Sequence, residues 1–146
     1  ILQETELAPE ALRIEITESL LMEHAVDAFA VLSRLQGMGV LIYLDDFGTG
    51  YSSLNYLHKF PINALKIDRT FVMNIARDRQ AQEIIKAIAM LANSLKLLII
   101  VEGVEEKEQL QFFRGLRCNL IQGFLFSKAV ASSEAQTFIA GPLQIA

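Results

Sequence analysis

Two adjacent aspartates, Asp45 and Asp46, follow an apolar run of strand length and precede a loop rich in glycines and hydroxyl residues. Neighbouring carboxylates repel each other, so the pair suggests a divalent cation that both residues can bind. The alternative is structural, since an aspartate can cap a following helix while glycines make the turn. The dipeptide alone leaves both interpretations open.

Other polar residues stand within or at the ends of further apolar runs, namely Glu15, Lys66, Glu102 and Gln122. Each has a separate structural explanation. Glu15 could point outward from a strand, Lys66 could be an edge lysine whose ammonium reaches solvent, and Glu102 and Gln122 could be loop residues. Because ligands bind at the carboxyl ends of parallel strands, we favour one shared site over these separate explanations.

Alternating strands and helices are predicted to position these residues. Strands are expected to begin near residues 12, 40, 64, 97 and 119, and the last of them is predicted over 120–124. Helical spacing of apolar residues predicts helices over 22–38, 84–95 and 132–139, with a shorter helix before Pro61. Such spacing is typical of βα units with right-handed crossovers and a parallel sheet.

Length and composition indicate one folded domain, because the 146 residues are 52% hydrophobic and 21% charged. The net charge of −4 argues against a nucleic-acid polymer as partner, and an anionic nucleotide would need bound metal ions. No apolar run reaches the ~18 residues of a membrane span. The first residues carry no export signal and Cys118 is the one cysteine, so we expect a cytoplasmic location.

Five motifs resemble, in the same order, those of the EAL family of cyclic di-GMP phosphodiesterase domains, which are modified TIM barrels. They are EITES (15–19), DDFGTGYSS (45–53), LKIDRTFV (65–72), VEGVE (101–105) and QGFLFSK (122–128). Two family features are absent: the Glu-Ala-Leu signature with its phosphate-binding arginine, and an asparagine metal ligand. A smaller departure is Ala129, where the family usually has proline.

The two missing features belong to strands upstream of the first motif. We therefore expect residues 1–146 to form the C-terminal portion of one EAL domain. Its fold class would be α/β, an incomplete TIM-type barrel of about five parallel strands alternating with helices. A closed barrel has eight strands and typically ~250 residues.

The resemblance implies a two-metal site for Mg²⁺ or Mn²⁺. Glu15 and Asp45 would hold one ion and Asp45 would bridge to the second. Asp46 would serve the second ion directly or through water. Glu102 is the candidate general base, with metal ligation as a competing role.

The same resemblance assigns roles to the remaining site residues. Lys66 would orient the attacking water or stabilise developing charge, and burial among carboxylates should keep it protonated. Gln122 would form hydrogen bonds at the floor of the site. Glu18 would anchor the loop that contains Gly48, Thr49 and Gly50.

The implied function is metal-dependent hydrolysis of cyclic di-GMP to linear pGpG in bacterial second-messenger signalling. The alternative is a catalytically inactive EAL-type receptor for cyclic di-GMP or a protein-interaction scaffold. In either case the isolated chain is expected to be inactive. Expected partners are cyclic di-GMP and a second copy of the chain. Upstream sensor or GGDEF-type domains could tether the parent protein to a membrane.

Overall fold

The structure, a computed structural model, describes residues 2–48 and 57–140, without the side chains of 137–140. The strands are β1 (Arg13–Thr17), β2 (Leu41–Phe47), β3 (Ala64–Ile67), β4 (Leu98–Val101) and β5 (Leu120–Ile121). The helices are α1 (Leu2–Thr5), α2 (Glu18–Glu23), α3 (Ala25–Gly37), α4 (Arg69–Val72), α5 (Arg79–Ser94), α6 (Lys107–Arg114) and α7 (Ser132–Ala140), with a 3₁₀ turn at Pro9–Ala11.

The five strands form one parallel sheet in the order β1-β2-β3-β4-β5. Each strand therefore pairs with the next strand along the chain, and the intervening helices carry the connections, as in a section of a (β/α) barrel. Within the described residues the sheet is open, with β1 and β5 at its edges. The predicted fold class, an incomplete TIM-type barrel of five parallel strands, is confirmed.

Side chains alternate between the two faces of the sheet, with the period of two that strands impose. One face packs against the helices in the larger core cluster, which includes Leu65, Ile67 and Ile99. The other face carries a smaller buried cluster of Tyr43, Ala64 and Ile100. Each member of the smaller cluster stands two positions before a predicted site residue, so the site residues emerge on this second face.

Several element boundaries differ from the prediction: α5 begins at Arg79 and not at 84, and two further differences lie near the site. The helix predicted over 22–38 is two helices. The first, α2, starts directly after β1, with the Thr17 hydroxyl accepting from the Leu20 N–H at 3.4 Å, and it ends at Glu23 with His24 as its C-cap. The strand predicted over 120–124 ends at Ile121. The Val104 N–H donates to the Gln122 carbonyl at 3.1 Å, so the chain pairs there with a loop and leaves the sheet.

The short helix predicted before Pro61 depends on residues 54–56, which lie outside the described residues. In the part of the chain that the structure describes, no helix combines the length and the apolar character that a membrane span requires.

Candidate active site

A single lysine, Lys66, lies among three carboxylates at the carboxyl end of the sheet. Its Nζ is 2.6 Å from Glu15 Oε2, 2.7 Å from Glu102 Oε1 and 3.1 Å from Asp45 Oδ1. Glu15 comes from β1, Asp45 from β2 and Lys66 from β3, while Glu102 directly follows β4. The structure thus brings together residues that are far apart in the sequence and that we predicted to share one site.

The charge of Lys66 is fixed by these contacts. The residue is only 5% exposed, and burial by itself favours the neutral amine. The hydrogen bonds to Glu102, Glu15 and Asp45 outweigh that effect and raise the pKa of Lys66 well above its ordinary value of 10.5. Lys66 is consequently an ammonium at neutral pH, and the explanation of an edge lysine is wrong because β3 lies inside the sheet.

The carboxylate of Glu102 has a second donor. Gln122 Nε2 donates to Glu102 Oε1 at 2.7 Å, and the Gln122 backbone N–H donates to the Val101 carbonyl at 2.8 Å. The backbone bond sets Gln122 beside the end of β4. Glu102 Oε1 is therefore held between an ammonium and an amide.

Asp46 occupies a different position from its neighbour. Its backbone has φ 54°, a left-handed conformation that is uncommon for residues other than glycine, and its N–H donates to Asp45 Oδ1 at 2.9 Å. Burial raises the pKa of Asp46, and the negative charges of Asp45 and Asp68 raise it further. Asp46 thus sits in a locally negative region at the end of β2, beside the carboxylates that surround Lys66.

The start of the loop after β2 is attached to α2. The Gly48 N–H donates to Glu18 Oε2 at 3.0 Å, and Glu18 is 4% exposed. Gly48 has φ 91°, and a Cβ there would lie 3.1 Å from the Phe71 ring, so glycine suits the position in both conformation and space. The other predicted loop residues, Thr49 and Gly50, lie outside the described residues.

The oxygen donors fit Mg²⁺ or Mn²⁺ by their chemistry, because hard cations prefer carboxylate ligands. In the ranges 2–48 and 57–140, however, no three His, Cys, Asp or Glu side chains are grouped closely enough to hold a metal ion. Glu15, Asp45 and Glu102 instead converge on the ammonium of Lys66. The metal-ligand roles of these residues and of Asp46 therefore stay predictions.

A cavity of about 510 Å³ opens beside Glu102 and Gln122, a size that suits a small-molecule ligand. Its wall includes Arg69, Lys128 and Phe124. Phe124 is 55% exposed, and its ring centroid lies 5.6 Å from Lys128 Nζ. Sequence reasoning did not single out these three residues. They could have been found from the motifs, because Arg69 lies within LKIDRTFV (65–72) and the other two lie within QGFLFSK (122–128).

The sequence pattern described as EAL domain matches residues 1–129, and the chain belongs to the EAL domain family. A curated relative, "Cyclic di-GMP phosphodiesterase NbdA" of Pseudomonas aeruginosa, is 42% identical over 138 residues, which are 94% of this chain and 18% of that protein.

Solved structures agree with this assignment. The structure "PaMucR Phosphodiesterase, c-di-GMP complex" superposes on this chain with a TM-score of 0.89 at 42% sequence identity. The alignment covers 92% of this chain and 54% of the PaMucR chain. A complex of Klebsiella pneumoniae BlrP1 with manganese and cyclic di-GMP has a TM-score of 0.81 at 31% sequence identity. The alignment covers 87% of this chain and 32% of the BlrP1 chain. The chain thus spans about half or less of these three proteins.

Proposed function

We propose that this chain is the C-terminal part of an EAL domain whose complete form hydrolyses cyclic di-GMP to linear pGpG with Mg²⁺ or Mn²⁺. The observation that carries the proposal is the convergence of Glu15, Asp45 and Glu102 on the Lys66 ammonium. Similarity to proteins named as cyclic di-GMP phosphodiesterases supports the substrate, and the manganese complex of a relative supports the choice of metal.

The metal ligands in this proposal are Glu15, Asp45 and Asp46, and metal ligation is the competing role for Glu102. When bound, two divalent cations polarise the phosphodiester, activate water and neutralise the leaving oxygen. The chain has a net charge of −4 and therefore repels an anionic dinucleotide. Cations bound to these ligands would reverse the local charge and let the dinucleotide bind.

Glu102 is the proposed general base. Its Oε1 is engaged by Lys66 Nζ and Gln122 Nε2, so we assign the proton from the attacking water to Oε2. The water oxygen bonds to phosphorus, the bond from phosphorus to the ribose 3′ oxygen breaks, and that oxygen takes up a proton from solvent water. One phosphodiester of the ring thereby opens to a linear 5′-phosphate.

Lys66 supports this step through its fixed charge. The ammonium holds the three carboxylates at set positions, and its charge favours the negative charge that develops on the phosphate oxygens. Because burial and three hydrogen bonds keep it in place, it needs no rearrangement during the reaction. Glu18 holds the start of the neighbouring loop through Gly48.

The test compares the isolated 146 residues with the same sequence extended by ~100 upstream residues, which would complete the eight-stranded barrel. Each protein is incubated with cyclic di-GMP and Mg²⁺ or Mn²⁺, and pGpG is measured by chromatography. We expect turnover only from the extended protein, its loss with EDTA, and its loss in Glu102→Gln.

Three other results would contradict parts of the proposal. Robust turnover by the isolated chain would contradict the need for the upstream strands. Turnover that persists in EDTA would contradict the metal requirement. Binding of cyclic di-GMP without turnover in the extended protein would instead support the receptor function.

A further inference from the structure

The side chain of Arg69 lies across the loop that carries Glu102. We propose that Arg69 is a positioning residue: it fixes residues 102–105, here called the Glu102 loop, so that Glu102 stays between Lys66 and Gln122. The inference rests on the proposed phosphodiesterase function, because it gives Arg69 a part in the same site. Four contacts support it.

The first contact is between the arm of Arg69 and Gly103. A Cβ on Gly103 would lie 2.8 Å from Arg69 Cβ and 2.9 Å from Cδ, and closer still to Cγ. Gly103 also has φ 72°, which favours glycine. The arm of Arg69 therefore fills the space that a side chain at position 103 would need.

The second contact joins the head of Arg69 to Glu105. Arg69 Nη2 lies 2.9 Å from Glu105 Oε1, and the two side chains are 51% and 40% exposed. An ion pair this exposed contributes little to stability. Its effect is geometric. The guanidinium is held at Glu105, two residues beyond Gly103, and this keeps the aliphatic part of Arg69 packed against Gly103.

The third contact fixes the start of the loop to the strand that bears Lys66. The Glu102 N–H donates to the Ile67 carbonyl at 3.1 Å. Arg69 begins α4 two residues after Ile67, and that helix is capped by Asp68 Oδ1, which accepts from the Thr70 N–H at 3.0 Å. Arg69 thus projects from a backbone that is rigidly joined to β3.

The fourth contact fixes the far end of the loop. The buried side chain of Gln109, 4% exposed, accepts from the N–H groups of Glu105 and Glu106 at 2.8 and 3.0 Å. Its amide donates to the Val72 carbonyl at 3.2 Å. Both ends of the Glu102 loop are therefore tied to the β3–α4 segment. Between them, Val104 forms backbone hydrogen bonds with Gln122 and Leu125, and Arg69 restrains Gly103.

Removal of Arg69 leaves the backbone of the loop hydrogen-bonded at Glu102, Val104 and Glu105 but takes away the packing on Gly103, the residue next to Glu102. We expect Gly103 to shift into the vacated space, so that the side chain of Glu102 moves from its distance of 2.7 Å to Lys66 Nζ. A misplacement of about 1 Å can lower a rate by about 100-fold. For Arg69→Ala we expect kcat for cyclic di-GMP to fall between about 10- and 100-fold with less than about a 3-fold change in KM. Arg69→Lys keeps the arm and the charge, and should stay within about 3-fold of the wild type.

The experiment uses the complete protein with Mn²⁺ and cyclic di-GMP, and it compares the kcat and KM of the wild type, Arg69→Ala and Arg69→Lys. Glu105→Gln, which removes only the ion pair, should lower kcat by several-fold. It tests the same proposal if Arg69→Ala fails to fold. Arg77→Ala is the matched control, because Arg77 is an exposed arginine in the segment that joins α4 to α5. Crystal structures of the wild type and the variants give the distance from Lys66 Nζ to Glu102 Oε1.

An unchanged kcat in Arg69→Ala would overturn the proposal. A raised KM with unchanged kcat would also overturn it, since Arg69 would then act by contacting the substrate in the neighbouring cavity. A wild type without turnover would contradict the proposed function instead. In that case the crystal structures still decide, because a Glu102–Lys66 distance that is unchanged in Arg69→Ala refutes the positioning role.

Discussion

Replacement of Lys66 by methionine tests whether one cation holds the three carboxylates together. Methionine keeps most of the length of the side chain but removes the charge, so Glu15, Asp45 and Glu102 would face one another without a cation. Removal of one partner from a fully buried ion pair costs about 3–5 kcal/mol. We expect Lys66→Met to destabilise the complete protein.

The exposures of the carboxylates set the size of the effect. Glu15 is 48% exposed and keeps much of its hydration, whereas Asp45 and Glu102 are 22% and 19% exposed. The loss should therefore lie at the lower end, about 3 kcal/mol, which corresponds to a fall in Tm of about 6–12 °C in a domain of 150–250 residues.

The assay is thermal unfolding at pH 7 without divalent metal, repeated with Mn²⁺. Binding of Mn²⁺ to the carboxylates relieves their repulsion, so Mn²⁺ should narrow the difference in Tm between Lys66→Met and the wild type. Lys86→Met is the control, because Lys86 makes an exposed ion pair with Glu83 at 2.8 Å, whose loss should leave the Tm nearly unchanged. A Tm for Lys66→Met within about 2 °C of the control would refute the reasoning.

Three further predictions follow from the same contacts. Glu18→Ala should lower turnover with a modest loss of stability and speed hydrogen exchange at the Gly48 amide, which donates to Glu18; unchanged turnover and exchange would count against the anchoring role. Gln109→Leu leaves two backbone N–H groups without their acceptor and should lower the free energy of unfolding in urea by about 1–3 kcal/mol. The exposed control Gln80→Leu should change it little, and equal losses in the two variants would refute the structural role of the Gln109 hydrogen bonds. The raised pKa of Lys66 contributes stability that is complete below 10.5 and is lost as the pH rises through the folded-state value, so the wild type should lose more stability than Lys66→Met in strongly alkaline solution, and parallel curves would contradict this.

The strands and the side of the sheet that carries the site could be predicted from the sequence. The apolar stretch that contains Ala64–Ile67 has the character of a buried parallel strand, and the alternation of faces separates Lys66 from Leu65 and Ile67. The recognised motifs then indicated which polar residues belong together. The helix α2 was missed because its apolar pattern is short, although Thr17 is a good N-cap residue.

The geometry around the site could not be predicted in this way. The position of Lys66 among the carboxylates depends on the register between strands, which is a tertiary property. The positive φ of Asp46 and the seat of Arg69 on Gly103 depend on how the loops pack at the end of the sheet. Gln109 was also missed, because glutamine in a polar helix gives no sign that it is buried.

The central claim, that Glu15, Asp45 and Asp46 bind divalent cations beside Glu102, is tested most directly by anomalous diffraction from crystals of the complete protein grown with Mn²⁺ and cyclic di-GMP. We predict manganese peaks within about 2.3 Å of oxygens of these carboxylates, with the phosphodiester of the ligand beside them. Manganese bound only elsewhere, or cyclic di-GMP seated away from these four residues, would contradict the account.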